Sequence, residues 1–262
     1  MYDFEFVKPA SLADAIAAMG REGAQALAGG MTLLPTMKQR LNQPDSLVSL
    51  NGLAELKGVS AADGVLTVGA GTTHAVVAAT AAAHYPALAA LAGQIGDPMV
   101  RNRGTLGGSL ANNDPAACYP SAVLASGATI VTNSREIAAD DYFQGMFATA
   151  LDDGEIITAV KFPIPDKAAY VKFAQPASRF ALTGVFVAKG ASGVRVAVTG
   201  ASEEGVFRWT EAEQALSGRF DASALEGLSV GADGMIGDMH GTPEYRAHLV
   251  KVMTKRAVAA AG

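Results

Sequence analysis

The chain has 262 residues, of which 50% are hydrophobic and 17% are charged, and its formal net charge is −5. This length is sufficient for one large or two modest domains with a sizeable core, and the composition excludes an intrinsically disordered protein. The negative net charge provides no positive electrostatic potential to attract a phosphate backbone, so no nucleic acid partner is expected.

Cys118 is the single cysteine of the chain. One thiol cannot form an internal disulfide, hold an iron–sulfur cluster or build a cysteine-based zinc site, so any such cluster must lie on another chain. No metal-ligand spacing relates the four histidines, His74, His84, His240 and His248. The sequence begins without the basic and apolar regions of a signal peptide, and its longest apolar stretch is interrupted by His84 and Pro86. We therefore expect a cytoplasmic protein without an integral membrane segment.

Up to Pro163, short predicted strands and helices alternate. Ser11 is the N-cap of a predicted amphipathic helix that continues to Met19. A short apolar run predicts a strand over 24–28, followed by a Gly29-Gly30 turn and a helix over 32–41. Further strands are predicted over 47–50, 65–68, 128–132 and 155–162, and helices over 73–82, 86–93 and 120–126. Between the last two helices lies a glycine-dense segment, 104–108.

The stretch from Pro163 to Lys167 is the best candidate for a domain boundary, because two prolines interrupt the pattern there. Beyond it, strands are predicted over 170–173, 183–189 and 193–202, followed by helical patterns over 210–216, 222–225 and 243–260. Strands followed by helices favour an α+β domain in which helices cover a meander sheet.

The segment Ala28 to Leu34 places paired glycines between a predicted strand and a predicted helix. Such glycines let backbone N–H groups approach an anion, and the helix N-terminus adds a favourable partial charge, so a diphosphate would fit. A tight turn without a ligand would show the same pattern. Neither a dinucleotide-binding GxGxxG nor a P-loop motif is present.

A second glycine pair lies in the segment from Arg101 to Pro115, where hydroxyl residues flank Gly107 and Gly108. Two glycine loops of this kind suit a ligand with two phosphates and two ends, which favours a dinucleotide.

The two loops, AGGMTLLPTMK (28–38) and RNRGTLGGSLANNDPAACYP (101–120), occur with EIITAVKFP (155–163), YVKF (170–173) and HGTPEYRAHLVKVMTKRA (240–257). Together they resemble the FAD-binding medium subunit of the molybdenum hydroxylases, such as the medium chains of xanthine dehydrogenase and aerobic carbon monoxide dehydrogenase. The resemblance implies an α+β fold with a two-part FAD-binding domain of the vanillyl-alcohol oxidase (PCMH) type over 1–165, with subdomains of about 1–57 and 58–165. A small C-terminal domain over 166–262 would follow.

The resemblance also assigns residues to a non-covalent FAD site. The loop around the diphosphate would comprise Ala28, Gly29, Gly30, Met31, Thr32, Leu33 and Leu34. The opposing wall would comprise Thr105, Gly107, Gly108 and Ser109. Ile95 or Gly96 would lie beside the cofactor, Ile157 near the adenine or a ring edge, and Lys172 near the flavin. A cation at position 172 would stabilise the negative charge of a reduced flavin. The alternative is that Lys172 is an ordinary solvent-exposed lysine on a strand.

Two positions depart from the family pattern. In the segment Asp114-Pro-Ala-Ala-Cys118, which the resemblance places at the FAD site, a thiol replaces an expected carboxylate. Cys118 itself is interpreted as a small packing residue and not as a nucleophile. After the lysine strand, Arg179-Phe180 replaces an acidic residue, and Phe180 could either stack on the isoalloxazine ring or belong to the core.

The resemblance implies the FAD-carrying electron-transfer subunit of a molybdenum hydroxylase complex. Its partners would be a small subunit with two [2Fe–2S] clusters and a large molybdopterin subunit, assembled as a dimer of heterotrimers. A stand-alone FAD-dependent oxidase is the main alternative. The segment after Pro165 is too short for the substrate domain of such an enzyme, and the first glycine loop holds no histidine or cysteine for covalent attachment. A flavin-free scaffold would require both loops to be accidental turns. The substrate and the final electron acceptor stay open at this point.

Overall fold

The computed structural model describes residues 1–262 and contains a three-, a five-, a four- and a two-stranded sheet. The first unit comprises β1 (Glu5–Val7), α1 (Leu12–Met19), β2 (Ala24–Leu27), α2 (Leu33–Lys38) and β3 (Ser46–Ser49). Its strands are parallel in the order β1-β3-β2. Ser11 and Asp14 form the capping box that starts α1, which confirms the helix predicted from Ser11 to Met19.

The second unit is built on an antiparallel sheet of order β4-β5-β10-β6-β7. Its strands are β4 (Val59–Ala62), β5 (Val65–Gly69), β6 (Thr129–Thr132), β7 (Glu136–Ala138), the hairpin pair β8 (Phe143–Gly145) and β9 (Ala148–Thr149), and β10 (Ile157–Pro163). Its helices are α3 (His74–Thr80), α4 (Pro86–Gly93), α5 (Pro98–Arg101), α6 (Leu106–Asn112), α7 (Tyr119–Ser126) and α8 (Ala139–Tyr142).

The third unit is the predicted meander. Strands β11 (Lys167–Ala174), β12 (Ala181–Gly190), β13 (Gly193–Ser202) and β14 (Gly205–Arg208) pair antiparallel in chain order, followed by α9 (Thr210–Gly218) and α10 (Pro243–Ala261). Both faces of the sheet are buried. Val185 and Val187 pack in the core under α9 and α10, whereas Phe186 and Ala188 join the core of the second unit. The period-2 alternation of β12 thus joins the second and third units through a continuous apolar contact.

Several predicted elements differ from the structure in their bounds, and several short strands were not predicted. The helix predicted over 32–41 ends at Lys38, because Arg40 takes a left-handed conformation with φ 61°. The glycine-dense segment 104–108 contains the start of α6, with Thr105 as the N-cap. The segment 222–225 is a single 3-10 turn, and β1, β4, β7, β8, β9 and β14 were not predicted. No helix has both the length and the apolarity that a bilayer crossing requires.

Candidate functional site

A cavity of about 550 Å³ lies where the three units meet. Its walls come from the β2–α2 loop, from the segments around α5 and α6, from the start of β10 and from the β11–β12 turn. The cavity brings together seventeen of the eighteen residues that the family resemblance assigned to the FAD site. These are Ala28, Gly29, Gly30, Met31, Thr32, Leu33, Ile95, Gly96, Thr105, Gly107, Gly108, Ser109, Asp114, Cys118, Ile157, Lys172 and Phe180.

Leu34 is the assigned residue that does not line the cavity. Its side chain packs with the small core cluster formed by Leu27, Met37 and Leu47. A Cβ atom at Gly30 would lie 2.8 Å from the Leu34 Cδ1 atom, and Gly30 has a φ of +70°. Leu34 therefore packs against the first glycine loop on its core side. Glycine is needed at position 30 because of the positive φ and because a side chain would collide with Leu34.

The first glycine loop presents unpaired backbone donors. The N–H groups of Gly29, Gly30, Met31 and Thr32 have no acceptor within the protein. Thr32 is the N-cap of α2, yet its side chain makes no capping hydrogen bond. Four successive free N–H groups at a helix start are the donor set that a phosphate or diphosphate requires. The residues present therefore fit the diphosphate of FAD.

Gly29 is also required by contact between the two loops. A Cβ atom at this position would collide with the backbone carbonyl of Arg103 and would lie 2.8 Å from the Cα atom of Gly104. Because these neighbours are backbone atoms, they cannot rotate away. The first glycine pair thus lets the β2–α2 loop lie directly on the segment that leads into α6.

The second glycine pair has a different role from the first. At the start of α6, Leu106 N–H donates to the Thr72 carbonyl at 3.1 Å, and Gly107 N–H donates to the Ala70 carbonyl at 2.8 Å. Gly108 N–H donates to the Thr105 hydroxyl at 3.1 Å. This loop consequently offers no free N–H groups there, in contrast to the anion loop that the sequence suggested. Gly107 is instead explained by packing, because its Cβ atom would lie 2.6 Å from the Ala70 Cβ atom.

Lys172 organises one end of the cavity. Its Nζ donates to the Gln94 carbonyl at 2.8 Å and to the Arg179 carbonyl at 2.6 Å, and it lies 3.6 Å from the Cys118 Sγ. All three partners are uncharged, so no carboxylate neutralises this ammonium directly. Phe180 lies beside it with 49% of its surface exposed, which places it at the cavity wall and outside the core.

Glu155 fixes another part of the wall, next to Ile157. Its carboxylate accepts hydrogen bonds from the Arg135 guanidinium at 2.9 and 3.1 Å and from the Thr132 hydroxyl at 2.6 Å. These donors, led by Arg135, hold the pKa of Glu155 at about 2. The carboxylate therefore stays ionised and anchors the start of β10, whose Ile157 side chain gives this wall an apolar surface.

Many of the residues that line the cavity were not identified from the sequence, and His74 and Phe147 are two of them. His74 was considered only as a metal ligand, but the structure buries it at the start of α3, with an Nδ1 atom that has no partner and a ring 5.3 Å from that of Tyr119. Burial, assisted by the charge of Arg101, lowers the pKa of His74 to about 4, so its ring is neutral at pH 7. Phe147 is the second, and it occupies the tip of the β8–β9 hairpin.

Comparisons with known proteins identify the family of this chain. Residues 2–165 match the family described as "FAD binding domain in molybdopterin dehydrogenase". The chain is 35% identical to the nicotine 6-hydroxylase medium subunit of Paenarthrobacter nicotinovorans, over 98% of this chain and 96% of the relative. It is 34% identical to the carbon monoxide dehydrogenase medium chain of Afipia carboxidovorans, over 97% of this chain and 95% of the relative.

Among solved structures, the chain is similar to quinoline 2-oxidoreductase from Pseudomonas putida 86. The TM-score is 0.88 at 31% identity, and the match covers 99% of this chain and 97% of that one. These findings confirm the predicted α+β fold class and the FAD cofactor. The chain therefore belongs to the family of FAD-binding medium subunits of the molybdenum hydroxylases, which are oxidoreductases.

Proposed function

We propose that this chain is the electron-transfer subunit of a molybdenum hydroxylase complex, in which electrons pass from the [2Fe–2S] clusters of a partner subunit through FAD to an external acceptor. The observation that carries the proposal is the row of four free N–H groups in the first glycine loop, on the wall of a cavity of about 550 Å³. A cavity of this size suits a cofactor, and the donors suit its diphosphate.

The walls of the cavity suggest the orientation of the dinucleotide. The residues from Ala28 to Leu33 would hold the diphosphate, and the side chains of Thr105 and Ser109 would face it from the opposite wall. The adenine would lie toward the apolar surface at Ile157, and the isoalloxazine ring toward Lys172 and Phe180. Because the first glycine loop contains neither histidine nor cysteine, we propose that the cofactor is held without a covalent bond.

When bound, FAD supplies the ability to accept electrons singly and to release them in pairs. The contribution of this chain is to bind and orient it. The fixed ammonium of Lys172 would favour a negatively charged reduced ring, and the buried β10 start would exclude water from the other end. We also propose that residues 1–165 form the flavin domain and that 166–262 form a second domain, which contributes Lys172 and Phe180.

The partners in this proposal are a small [2Fe–2S] subunit and a large molybdopterin subunit, assembled as a dimer of heterotrimers. Two observations support them. The relatives named above are a medium subunit and a medium chain of redox enzymes. This chain also has a single cysteine, and no group of histidine, cysteine and carboxylate side chains could hold a metal ion. The donor of electrons to the flavin would then have to dock from outside.

Flavin binding is tested by titrating the flavin-depleted chain with FAD and with riboflavin and following the quenching of flavin fluorescence. Two or more charge-assisted hydrogen bonds to the diphosphate, each worth about 1.5 to 3 kcal/mol, should make FAD bind at least about a hundredfold more tightly than riboflavin. Equal affinity for the two flavins would contradict the assignment of the loop to the diphosphate.

The electron-transfer role is tested by co-expression with the small and large subunits and stopped-flow measurement of flavin reduction. We expect a stable complex on gel filtration and flavin reduction by the organic substrate only when the partners are present. A chain that stays free of its co-expressed partners, or whose flavin is reduced directly by the substrate without them, would favour the stand-alone oxidase instead.

A further inference from the structure

Phe147 combines backbone strain with exposure at the cavity. It lies in the turn between β8 and β9, has a φ of 55°, and lines the cavity with 58% of its surface exposed. A bulky side chain in the left-handed region is a rare and costly conformation, and glycine would occupy it without strain. Exposure of a phenyl ring adds a second cost. A turn selected only for stability would not place phenylalanine here.

Asn113 holds the turn in this conformation. Its side chain is 1% exposed, and its Nδ2 donates to the carbonyls of Gly145 and Ala148, both at 2.8 Å. Its own carbonyl accepts the Phe147 N–H at 3.1 Å. Asn113 is also the residue that ends α6, with its N–H bonded to the Ser109 carbonyl. The hairpin tip is therefore fixed to the helix that forms one wall of the cavity.

The hydrogen bonds of Asn113 thus hold the hairpin in the conformation that places the phenyl ring at the cavity. Strain of this kind persists where neighbouring structure imposes it, and it concentrates at ligand-binding positions. Asn112 and Asp114, which flank Asn113 in sequence and also line the cavity, are polar, and the Phe147 ring adds an aromatic surface to this part of the wall. The ligand surface that complements a phenyl face is itself planar and apolar.

We propose that Phe147 is a positioning residue for the cofactor, and that its ring packs against a planar ring of the bound FAD and covers it from solvent. This inference rests on the proposed function. It adds an aromatic clamp, carried by the hairpin, to the glycine loop and the Lys172 end. The ring is 58% exposed in the protein, and we expect it to become buried against the cofactor.

The test compares three variants of the FAD-loaded chain. Phe147→Gly removes both the ring and the backbone strain, whereas Phe147→Tyr keeps the ring. Phe6→Ala is the matched control, because Phe6 is similarly exposed, by 56%, but does not line the cavity. FAD release is followed by the rise of flavin fluorescence on dilution, and the thermal unfolding midpoint of the flavin-depleted protein is measured in parallel.

We expect Phe147→Gly to release FAD about tenfold faster while the midpoint of the flavin-depleted protein rises, and we expect Phe147→Tyr and Phe6→Ala to retain the original rate. Opposite changes in flavin retention and in stability cannot come from a merely structural residue. The inference is overturned if Phe147→Gly keeps the original release rate, or if Phe147→Tyr releases FAD as fast as Phe147→Gly. An original chain that binds no FAD would instead refute the proposed function.

Discussion

Replacing His74 by leucine should make the stability of the protein less dependent on pH between 7 and 5. In the folded chain, burial and the charge of Arg101 lower the pKa of His74 from 6.5 to about 4. In the unfolded chain the ring takes up a proton near its ordinary pKa. Between these two values the unfolded state binds more protons than the folded state, so the free energy of unfolding falls as the pH falls.

The size of this effect follows from the two pKa values. Above about pH 6.5 the ring is neutral in both the folded and the unfolded chain, so it causes no loss of stability. As the solution is acidified toward pH 4, protonation of the ring in the unfolded chain lowers the free energy of unfolding. A pKa difference of this size corresponds to about 3 kcal/mol in total, of which about 2 kcal/mol is lost between pH 7 and pH 5. This is a large fraction of the stability of a typical domain.

Urea unfolding of the flavin-depleted protein at pH 7 and pH 5 provides the measurement. The loss of stability on acidification should be about 2 kcal/mol smaller in His74→Leu than in the original chain. His84→Gln is the control, because His84 is exposed and should retain the original pH dependence. An equal loss of stability in His74→Leu and in the original chain would show that the neutral buried ring does not carry this effect.

Three further substitutions test the site. Gly29→Ala should abolish flavin retention and lower the unfolding midpoint, because its Cβ atom meets the Arg103 backbone, whereas Gly52→Ala, which has open space, should change neither. Lys172→Met should lower the flavin reduction potential by about 20 to 40 mV, measured by spectroelectrochemical titration, if the lost charge is worth about 1 to 2 kcal/mol. Glu155→Gln should lower the free energy of unfolding at pH 7, and the loss should become smaller as the pH falls from 4.5 toward 2. The reason is that Arg135 stabilises only the ionised carboxylate, and urea unfolding at several pH values provides the measurement.

Local chemistry explains which parts of the fold the sequence could predict. Ser11 and its helix, the first glycine turn and the meander are encoded by residues close in the chain. The short strands are not, since three residues such as Glu5–Val7 show no period and are defined by pairing with β3. The helix α6 was missed because two glycines near its start are poor helix formers, and tertiary partners such as Ala70 and Thr72 satisfy its first N–H groups.

The same distinction applies to the site. The first glycine loop could be predicted because its donors, its turn and the following helix are contiguous. The presentation of Phe147 depends on Asn113, which lies 32 residues before Gly145, the residue whose carbonyl it binds. The depressed pKa of His74 depends on burial and on the distant charge of Arg101. Sequence pattern alone supplies no signal for contacts of this range, so both residues became recognisable only in the folded chain.

The thiol at Cys118 allows a test of the carboxylate that the family resemblance leads us to expect at this position. Cys118 is 5% exposed and lies near two polar groups. The Lys172 ammonium is 3.6 Å from its sulfur, and the nearby Tyr170 hydroxyl is buried without a hydrogen-bond partner. A carboxylate at this position could pair with the Lys172 ammonium and accept a hydrogen bond from the Tyr170 hydroxyl, so two neighbouring groups would stabilise its buried charge.

Cys118→Asp should therefore fold, and it should lower the reduction potential of the bound flavin by about 20 to 40 mV, because the negative charge would offset about 1 to 2 kcal/mol of the stabilisation that Lys172 gives to a reduced ring. Cys118→Ser is the matched control, since it changes the polarity of the side chain without adding charge, and its potential should stay at the original value. The potential is measured by spectroelectrochemical titration. Equal potentials for Cys118→Asp and Cys118→Ser would mean that the charge of Lys172 does not act on the flavin, and that the thiol is only a packing residue beside a structural lysine.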